Sequence, residues 1–522
     1  MNWFLQCTEC GRQFPLEPGR YLCDDCSTKQ EQDRPLRGIL ECRWEEEPGL
    51  AGNPHKRYAD QSTPGLAGLD QPGLGQLSPG QPGGRQASLG TYRPAQEPPR
   101  WEAFLPVRAD SFPPMPVGNT PLWEVPRLRE LAGLPRLYIK DDTCEPSGSF
   151  KDRASFLVAA FARQWGIREI ALASTGNAAS SMAAVGAASS INIRVFLPKK
   201  APIAKRIQVL QYGAALSEVE GTYDLAFEQS LAYSRETGVL SRNTAYNPLT
   251  IEGKKTVSFE IAAQLAEQGR TADHIFVPVG DGVILAGLYK GFEDLLRLGF
   301  LTRIPTIWAC QAEGSSAISR SFFRLRKPGL QQRSDGDPQE RAQRTQTSHG
   351  QGKYPEKDSG GRATQGGGAG SGGGATHGGG AAYGKVQDKP FYKTPAEVFA
   401  QDIFSQPEAS DTIADSISVD VPRNGYHALG KLYAYGGWPV TVTDREILLA
   451  QRELASHSGL FAEPSSSTAW AAVRKVLQEQ ENRSATLAGA PVIHREDTVV
   501  ILITGTGLKD TSAAQKALEL PQ

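Results

Sequence analysis

The sequence has no run approaching the roughly 20 apolar residues needed to span a bilayer, so a membrane-embedded role is not expected. It also lacks a charge excess: a formal net charge of -1 leaves no global basic footprint, which argues against nucleic acid as a partner. The opening MNWFLQCTEC has neither the basic start nor the long apolar core of a secretory signal. Cysteine is scarce, and four of the seven fall in two Cys-x2-Cys pairs, which fits a reducing compartment and a metal site better than a disulfide framework. Together these absences predict a soluble cytoplasmic protein with room for two or three compact units.

Two stretches carry no hydrophobic period. Residues about 48–98 are rich in Pro, Gly and Gln and read as a flexible linker. Residues about 327–390 contain the polar run Gln339 to Arg344 and a tract from Gly360 to Gly384 in which Gly predominates. Such a segment buries too little apolar surface to offset its ordering entropy, so it reads as a disordered insertion, with a regulatory or partner-binding loop as the alternative. What remains is a cysteine-containing head over 1–47, including the strand-like Gly38-Ile39-Leu40-Glu41-Cys42, and one α/β body over 99–522 that the insertion interrupts.

Within the body, Leu137 to Lys140, Arg168 to Ala173, Ile193 to Leu197, Ile275 to Val279 and Thr498 to Ile503 read as strands. Helical stretches run over Ala154–Gln164, Ala178–Ala188, Pro202–Gln211, Tyr223–Thr237 and Leu285–Leu298. Buried parallel strands alternating with helices form the α/β pattern, and Pro278 hints at an irregular ladder.

Four segments between these elements carry candidate chemistry. Pro146-Ser147-Gly148-Ser149-Phe150-Lys151-Asp152-Arg153 follows a strand and opens a helix. A helix start disfavours a cation and lowers the pKa of an amine there, and a neutral amine is what attacks an aldehyde. The plain alternative is a surface lysine after an N-cap serine. Ser174-Thr175-Gly176-Asn177 pairs hydroxyls with free helix-start amides, a setting for a carboxylate, and Asn177 could reach a phenolic oxygen on a ring. Gly280-Asp281-Gly282-Val283-Ile284 can cradle a phosphate through backbone amides, although Asp281 sits awkwardly close to an anion unless its side chain caps the helix or points away. Thr504-Gly505-Thr506-Gly507 offers a hydroxyl able to bond a pyridine nitrogen without forcing its protonation. All four lie at carboxyl ends of predicted strands, where open α/β sheets bind ligands.

In the head, Cys7, Cys10, Cys23 and Cys26 have zinc-ribbon-like spacing, and a head this short has almost no core without a staple. Reduced thiols in a small hairpin are the alternative. Cys42, Cys144 and Cys310, and His427, His457 and His494, have no ligand spacing.

The order and spacing of these segments resemble the threonine synthase family, which belongs to the tryptophan synthase β-like group of pyridoxal phosphate (PLP) enzymes, fold type II. The resemblance runs from Cys7 to about Asp510, with gaps at the two low-complexity stretches. It includes Gly118-Asn119-Thr120-Pro121-Leu122, Glu252-Gly253-Lys254-Lys255-Thr256, Gln311-Ala312-Glu313-Gly314, Thr412-Ile413-Ala414-Asp415 and Glu463-Pro464. It implies two parallel-sheet α/β domains with PLP in the cleft, the smaller over about 155–260, and a possible homodimer. It further implies that Lys151 is the PLP lysine, that Asn177 contacts the cofactor's O3′, that Gly280 to Ile284 hold its phosphate and that Thr504 faces the pyridine nitrogen. Ser174, Thr175 and Gly176 would bind the substrate carboxylate.

Three departures stand out. Asp281, Val283 and Ile284 interrupt a loop that usually reads Gly-Asn-x-Gly-Asn, and Ser147 and Ala154 replace a Thr and a closing Gly around the lysine. Thr250 stands where many members carry an arginine that looks suited to a substrate phosphate; Lys205 and Arg206 are candidates to compensate. The implied reaction is O-phospho-L-homoserine plus water to L-threonine plus phosphate. The alternatives are a related β- or γ-elimination or replacement, such as an ammonia-lyase or cysteate-synthase-like enzyme, and a zinc-containing binding protein on an inactive enzyme fold.

Overall fold

The computed structural model describes residues 1–45, 101–199, 203–326, 396–399, 401–404, 407–482 and 489–520. The expected linker over 48–98 and the insertion over 327–390 lie outside the described residues. Thirteen strands are described, in three sheets.

The head is antiparallel: β1 (Asn2–Cys7) pairs with both β2 (Gln13–Pro15) and β3 (Leu40–Glu45). The main sheet has the order β12-β11-β10-β13-β5-β4. It is built from β4 (Leu122–Glu124), β5 (Leu137–Asp141), β10 (His274–Pro278), β11 (Thr306–Ala312), β12 (Trp438–Val442) and β13 (Val499–Ile503). Only β4, at the edge, runs antiparallel to its neighbour. A second, wholly parallel sheet has the order β8-β7-β6-β9, from β6 (Glu169–Ala173), β7 (Asn192–Pro198), β8 (Ala215–Val219) and β9 (Leu240–Ser241).

The sequence pattern explains the layering. The central strands β5, β10 and β13 are buried along their whole length, as expected where helices cover both faces of a parallel sheet. Pro278 is accommodated because pairing between β10 and β13 ends at Phe276, while pairing with β11 continues. The Phe276 and Trp308 rings stack at 5.2 Å across β10 and β11 and fill the interior of the main sheet.

A saturated cluster of buried charge ties β5 to the helix Lys151–Gln164 and the helix Thr256–Ala266. Arg153 donates to Asp142 at 2.6 and 2.9 Å and to Glu260 at 2.5 and 2.9 Å. Lys140 donates to Glu260 at 2.6 Å, to the Thr120 carbonyl at 2.6 Å and to Gln264 at 3.0 Å. The amides of Asn119 and Thr120 donate to the same Glu260 carboxylate. These cations hold the Glu260 carboxyl well below its usual range despite burial. No helix among the described residues is long and apolar enough to cross a membrane.

Candidate active site

Each of the four segments sits in the turn that leaves a strand. The loop after β5 leads to Lys151, the first residue of the helix Lys151–Gln164. β6 ends at Ala173, and Asn177 opens the helix Asn177–Ser189. β10 leads through Gly280 to Gly282 into the helix Val283–Arg297, and β13 ends one residue before Thr504.

Backbone hydrogen bonds join the Lys151 loop to the Thr504 turn, side-chain bonds bring in Asn177, and Gly280 packs against Ile417, next to the Ser416 that Asn177 contacts. The Phe150 amide donates to the Thr504 carbonyl at 2.9 Å, and the Thr506 amide donates to the Gly148 carbonyl at 3.1 Å. The Glu463 amide donates to the Gly505 carbonyl at 3.0 Å, which brings in a further segment at the start of the helix Pro464–Glu481. Asn177 Nδ2 then donates to Glu463 at 3.0 Å and to Ser416 Oγ at 3.2 Å. The Lys151 loop is also braced from within: Asp152 accepts the Ser147 amide at 2.6 Å and the Ser147 hydroxyl at 2.5 Å.

Lys151 keeps part of its surface open, yet its amine has no hydrogen-bond partner among the described residues. Its pKa is lowered, by burial first; Arg242 lowers it further, while Asp281 and Glu463 act in the opposite sense. The Ser149 hydroxyl is fully buried and likewise finds no partner. Thr504 Oγ1 lies 3.0 Å from Ser466 Oγ, beside the Lys151 loop. Gly176 borders open space: a Cβ there would meet nothing within 4 Å.

The Gly280 turn has the form of an anion cradle. A Cβ on Gly280 would press on the Ile417 backbone at 2.8 Å, and Gly282 has φ +88°, a conformation costly for other residues. The helix start that follows offers unsatisfied amides. Asp281, one residue before the N-cap Gly282, accepts the Val283 amide at 3.0 Å, so its carboxylate is turned to the helix start and takes up that one amide. An amine without a partner, a buried hydroxyl without a partner and a glycine-lined helix start together fit an aldehyde-bearing, phosphate-bearing cofactor.

Several residues here escaped the reading of the sequence as site candidates. Glu463 is buried with its carboxyl pKa raised, by burial first, while Asn177, Lys509 and Lys151 oppose that shift. Ser149, Ser416 and Ser466 are near-site hydroxyls. Arg242 and Lys254 are fully buried. Ser149, Lys254 and Glu463 do fall in segments that resemble the family, but without an assigned role. Thr250 is buried and spends its hydroxyl on the Asn247 carbonyl at 2.7 Å. Arg206 is committed to Glu218 and to the carbonyls of Pro198 and Lys199; the side chain of Lys205 lies outside the described residues.

In the head, the sulfurs of Cys7, Cys10, Cys23 and Cys26 all lie within 4.8 Å of one another. Cys10 and Cys23 are 3.7 Å apart, close to the ~3.8 Å edge of a tetrahedron with ~2.3 Å zinc–sulfur bonds. The head docks on the segment after β9. Tyr21 accepts the Ser241 amide at 2.7 Å, and its ring lies 4.8 Å from that of Tyr246. Ile39 packs with Ala245, Ile251, Val283 and Ala286. Ala245 holds a φ of +68°, a strained conformation for a residue with a Cβ.

A family model described as pyridoxal-phosphate dependent enzyme matches residues 114–359 and 369–505. The threonine synthase of Methanocaldococcus jannaschii is 29% identical over 424 residues, covering 81% of this chain and 83% of that protein. The threonine synthase of Methanosarcina acetivorans is 30% identical, covering 77% of this chain and 78% of that protein. Among solved structures, the processed form of threonine deaminase isoform 2 from Solanum lycopersicum matches with a TM-score of 0.52 at 17% identity, over 77% of this chain and 87% of that one. Maize serine racemase matches with a TM-score of 0.52 at 17% identity, over 77% and 93%. At such identities the structural likeness speaks for the fold alone.

Proposed function

The chain belongs to the pyridoxal-phosphate dependent enzyme family, of fold type II and related to the threonine synthases, and from that premise we propose that it converts O-phospho-L-homoserine and water to L-threonine and phosphate. The observation that carries this reading is the partnerless Lys151 amine at the meeting point of four strand-end turns. When bound, PLP supplies an electron sink for carbanion character beside the substrate nitrogen.

The chain's own residues do the rest. Lys151 holds the cofactor and afterwards carries protons between the α carbon and its neighbours, a task suited to an amine whose pKa is lowered. The turn Gly280 to Ile284 holds the cofactor phosphate, with Asp281 fixing the helix start rather than meeting the anion. Asn177 would face the cofactor's O3′, with its amide oriented by Glu463. Thr504, paired with Ser466, offers a hydroxyl to the ring nitrogen. Ser174, Thr175 and Gly176 bind the substrate carboxylate, and the unit over about 155–260, which contains the four-stranded sheet, forms one side of the cleft in this reading.

Cys7, Cys10, Cys23 and Cys26 hold structural zinc in this reading, supported by the convergence of the four sulfurs. One zinc per chain by elemental analysis, lost together with head stability on chelation, is the expected result.

The test of the reaction is direct. Purified enzyme with O-phospho-L-homoserine should release threonine and phosphate in equal amounts. Silence with that substrate, alongside turnover of serine, threonine or phosphoserine, would replace it with the second reading, an elimination or replacement on another amino acid. Thr250 favours that second reading, because its hydroxyl is turned to the Asn247 carbonyl where an arginine was expected.

A further inference from the structure

Two buried cations near Lys151 have no role in the reading above. Arg242, directly after β9, is 0% exposed. Its Nε donates to Ser155 Oγ at 3.3 Å and its Nη1 to Thr244 Oγ1 at 2.6 Å, while Nη2 has no partner among the described residues. Lys254 is also 0% exposed, and its amine donates to the Thr250 carbonyl at 3.1 Å. Among the described residues neither cation forms a salt bridge.

Carboxylates act on these cations without pairing with them: Glu463 acts on Lys151 and Asp152 on Arg242. Lys151, Arg242 and Lys254 all feel Asp281, and one oxygen of that carboxylate is occupied by the Val283 amide. Burial, then Lys151 and Arg242, lowers Lys254 well below the usual lysine range; burial lowers Arg242 to about 10. Burying cations without partners is expensive, so a buried cluster of this kind makes sense when a ligand brings an anion to pair with it.

The location favours the substrate over the cofactor. Ser155, which anchors Arg242, lies one helical turn beyond Lys151 on the same helix. Ser155 is in turn bonded at 2.7 Å to Ser181, one turn beyond Asn177. Arg242 is therefore set against the two helices that present Lys151 and the Ser174–Asn177 turn. The cofactor phosphate has its own cradle at Gly280 to Ile284.

We propose that Arg242 and Lys254 form a buried subsite for a phosphate-class anionic group at the far end of the amino-acid substrate, so that the charge missing at Thr250 is supplied from two other positions. This rests on the reading of the chain as a PLP enzyme of amino acids and deepens it by assigning two residues, outside the expected segment, to the substrate's distal anionic group.

The test uses holoenzyme and two ligands that differ in the distal group: the phosphonate analogue of O-phospho-L-homoserine, and L-norvaline. Each is titrated by calorimetry and by the change in cofactor absorbance, in wild type, Arg242→Gln, Arg242→Lys and Lys254→Gln. Wild type should prefer the phosphonate, and each Gln variant should lose about 10-fold or more of that affinity. Norvaline binding and PLP content per chain should not change, and Arg242→Lys should recover part of the loss. Variants that shed PLP instead would assign the pair to the cofactor and overturn the proposal, as would wild type binding both ligands equally. A phosphonate preference that vanishes with Arg242, in an enzyme inert toward O-phospho-L-homoserine, would uphold the subsite while the proposed reaction fails.

Discussion

Lys151 and Arg153 stand two residues apart at one helix start, and each belongs to a buried cluster of charge, yet the two clusters are built in opposite ways. Around Arg153, two cations face Asp142 and Glu260, nearly every donor is used, and backbone amides share the same carboxylates. Glu145, the further acid there, has its pKa raised well above the usual value, by burial first, with Asp142, Asp152 and Glu260 adding to the shift while Arg153 opposes it. Around Lys151, the carboxylates of Asp281, Glu463 and Asp152 act on Lys151 and Arg242 without forming an ion pair with them among the described residues, and Arg242 Nη2 is left without a partner. A saturated cluster has nothing left to offer a ligand and acts as scaffold; an unsaturated one is costly in isolation and is resolved by what binds. Burial alone does not separate the two, since Arg242 and Lys254 are as deeply buried as Arg153 and Lys140. Satisfaction of the polar atoms does.

Breaking the unsaturated side should have the largest effect. Lys151→Ala is expected to abolish the visible-edge cofactor absorbance and lower turnover on the order of 10³-fold or more, with unchanged circular dichroism. Retention of both would remove Lys151 from the chemistry.

The saturated side should fail in stability instead. Glu260→Gln leaves Arg153 and Lys140 short of a buried anion and should cost about 3–5 kcal/mol in chemical unfolding. Arg242→Met, which deletes an unpaired cation, should stay within about 1 kcal/mol of wild type. Equal losses would erase the distinction between the clusters.

A pH series sharpens it further. Because the Lys151 pKa is lowered from 10.5, its amine becomes neutral as pH rises through that lowered value. Reloading of stripped protein with PLP should therefore accelerate with pH and level off below pH 10.5, the ordinary lysine value. Arg242→Gln removes a neighbour that lowers the pKa, so its curve should shift to higher pH. Stopped-flow absorbance measures both.

The smallest effect is expected at Arg206→Gln, since its ion pair with Glu218 is partly exposed. The loss should remain below about 1 kcal/mol and turnover should not change. A large loss of turnover would restore Arg206 as a compensating substrate cation.

Much of the fold was legible because its signals are local. The span Tyr223–Thr237 is marked by a Thr222 N-cap and a Gly238 in the left-handed region. The buried runs of β6, β7, β10 and β13 announce themselves through apolar β-branched residues. The helix at Lys151 begins three residues before the expected Ala154, since nothing in Lys151-Asp152-Arg153 marks the first turn. The strand in the head was expected at Gly38 to Cys42 and instead occupies Leu40–Glu45, because pairing to β1 sets its limits.

What the sequence by itself determined was the set of strand–turn–helix units and the residue types at their ends, because hydrophobic period, caps and glycines act over a few neighbours. It could not show which charges would be answered. Arg242, Lys254, Asp281 and Glu463 are scattered over more than two hundred positions, and although the last three fall in segments that resemble the family, nothing local says that their charges meet. Only the packing of distant strands and helices removed them from water together, and it is that shared desolvation which turns a scattered set of charges into a site.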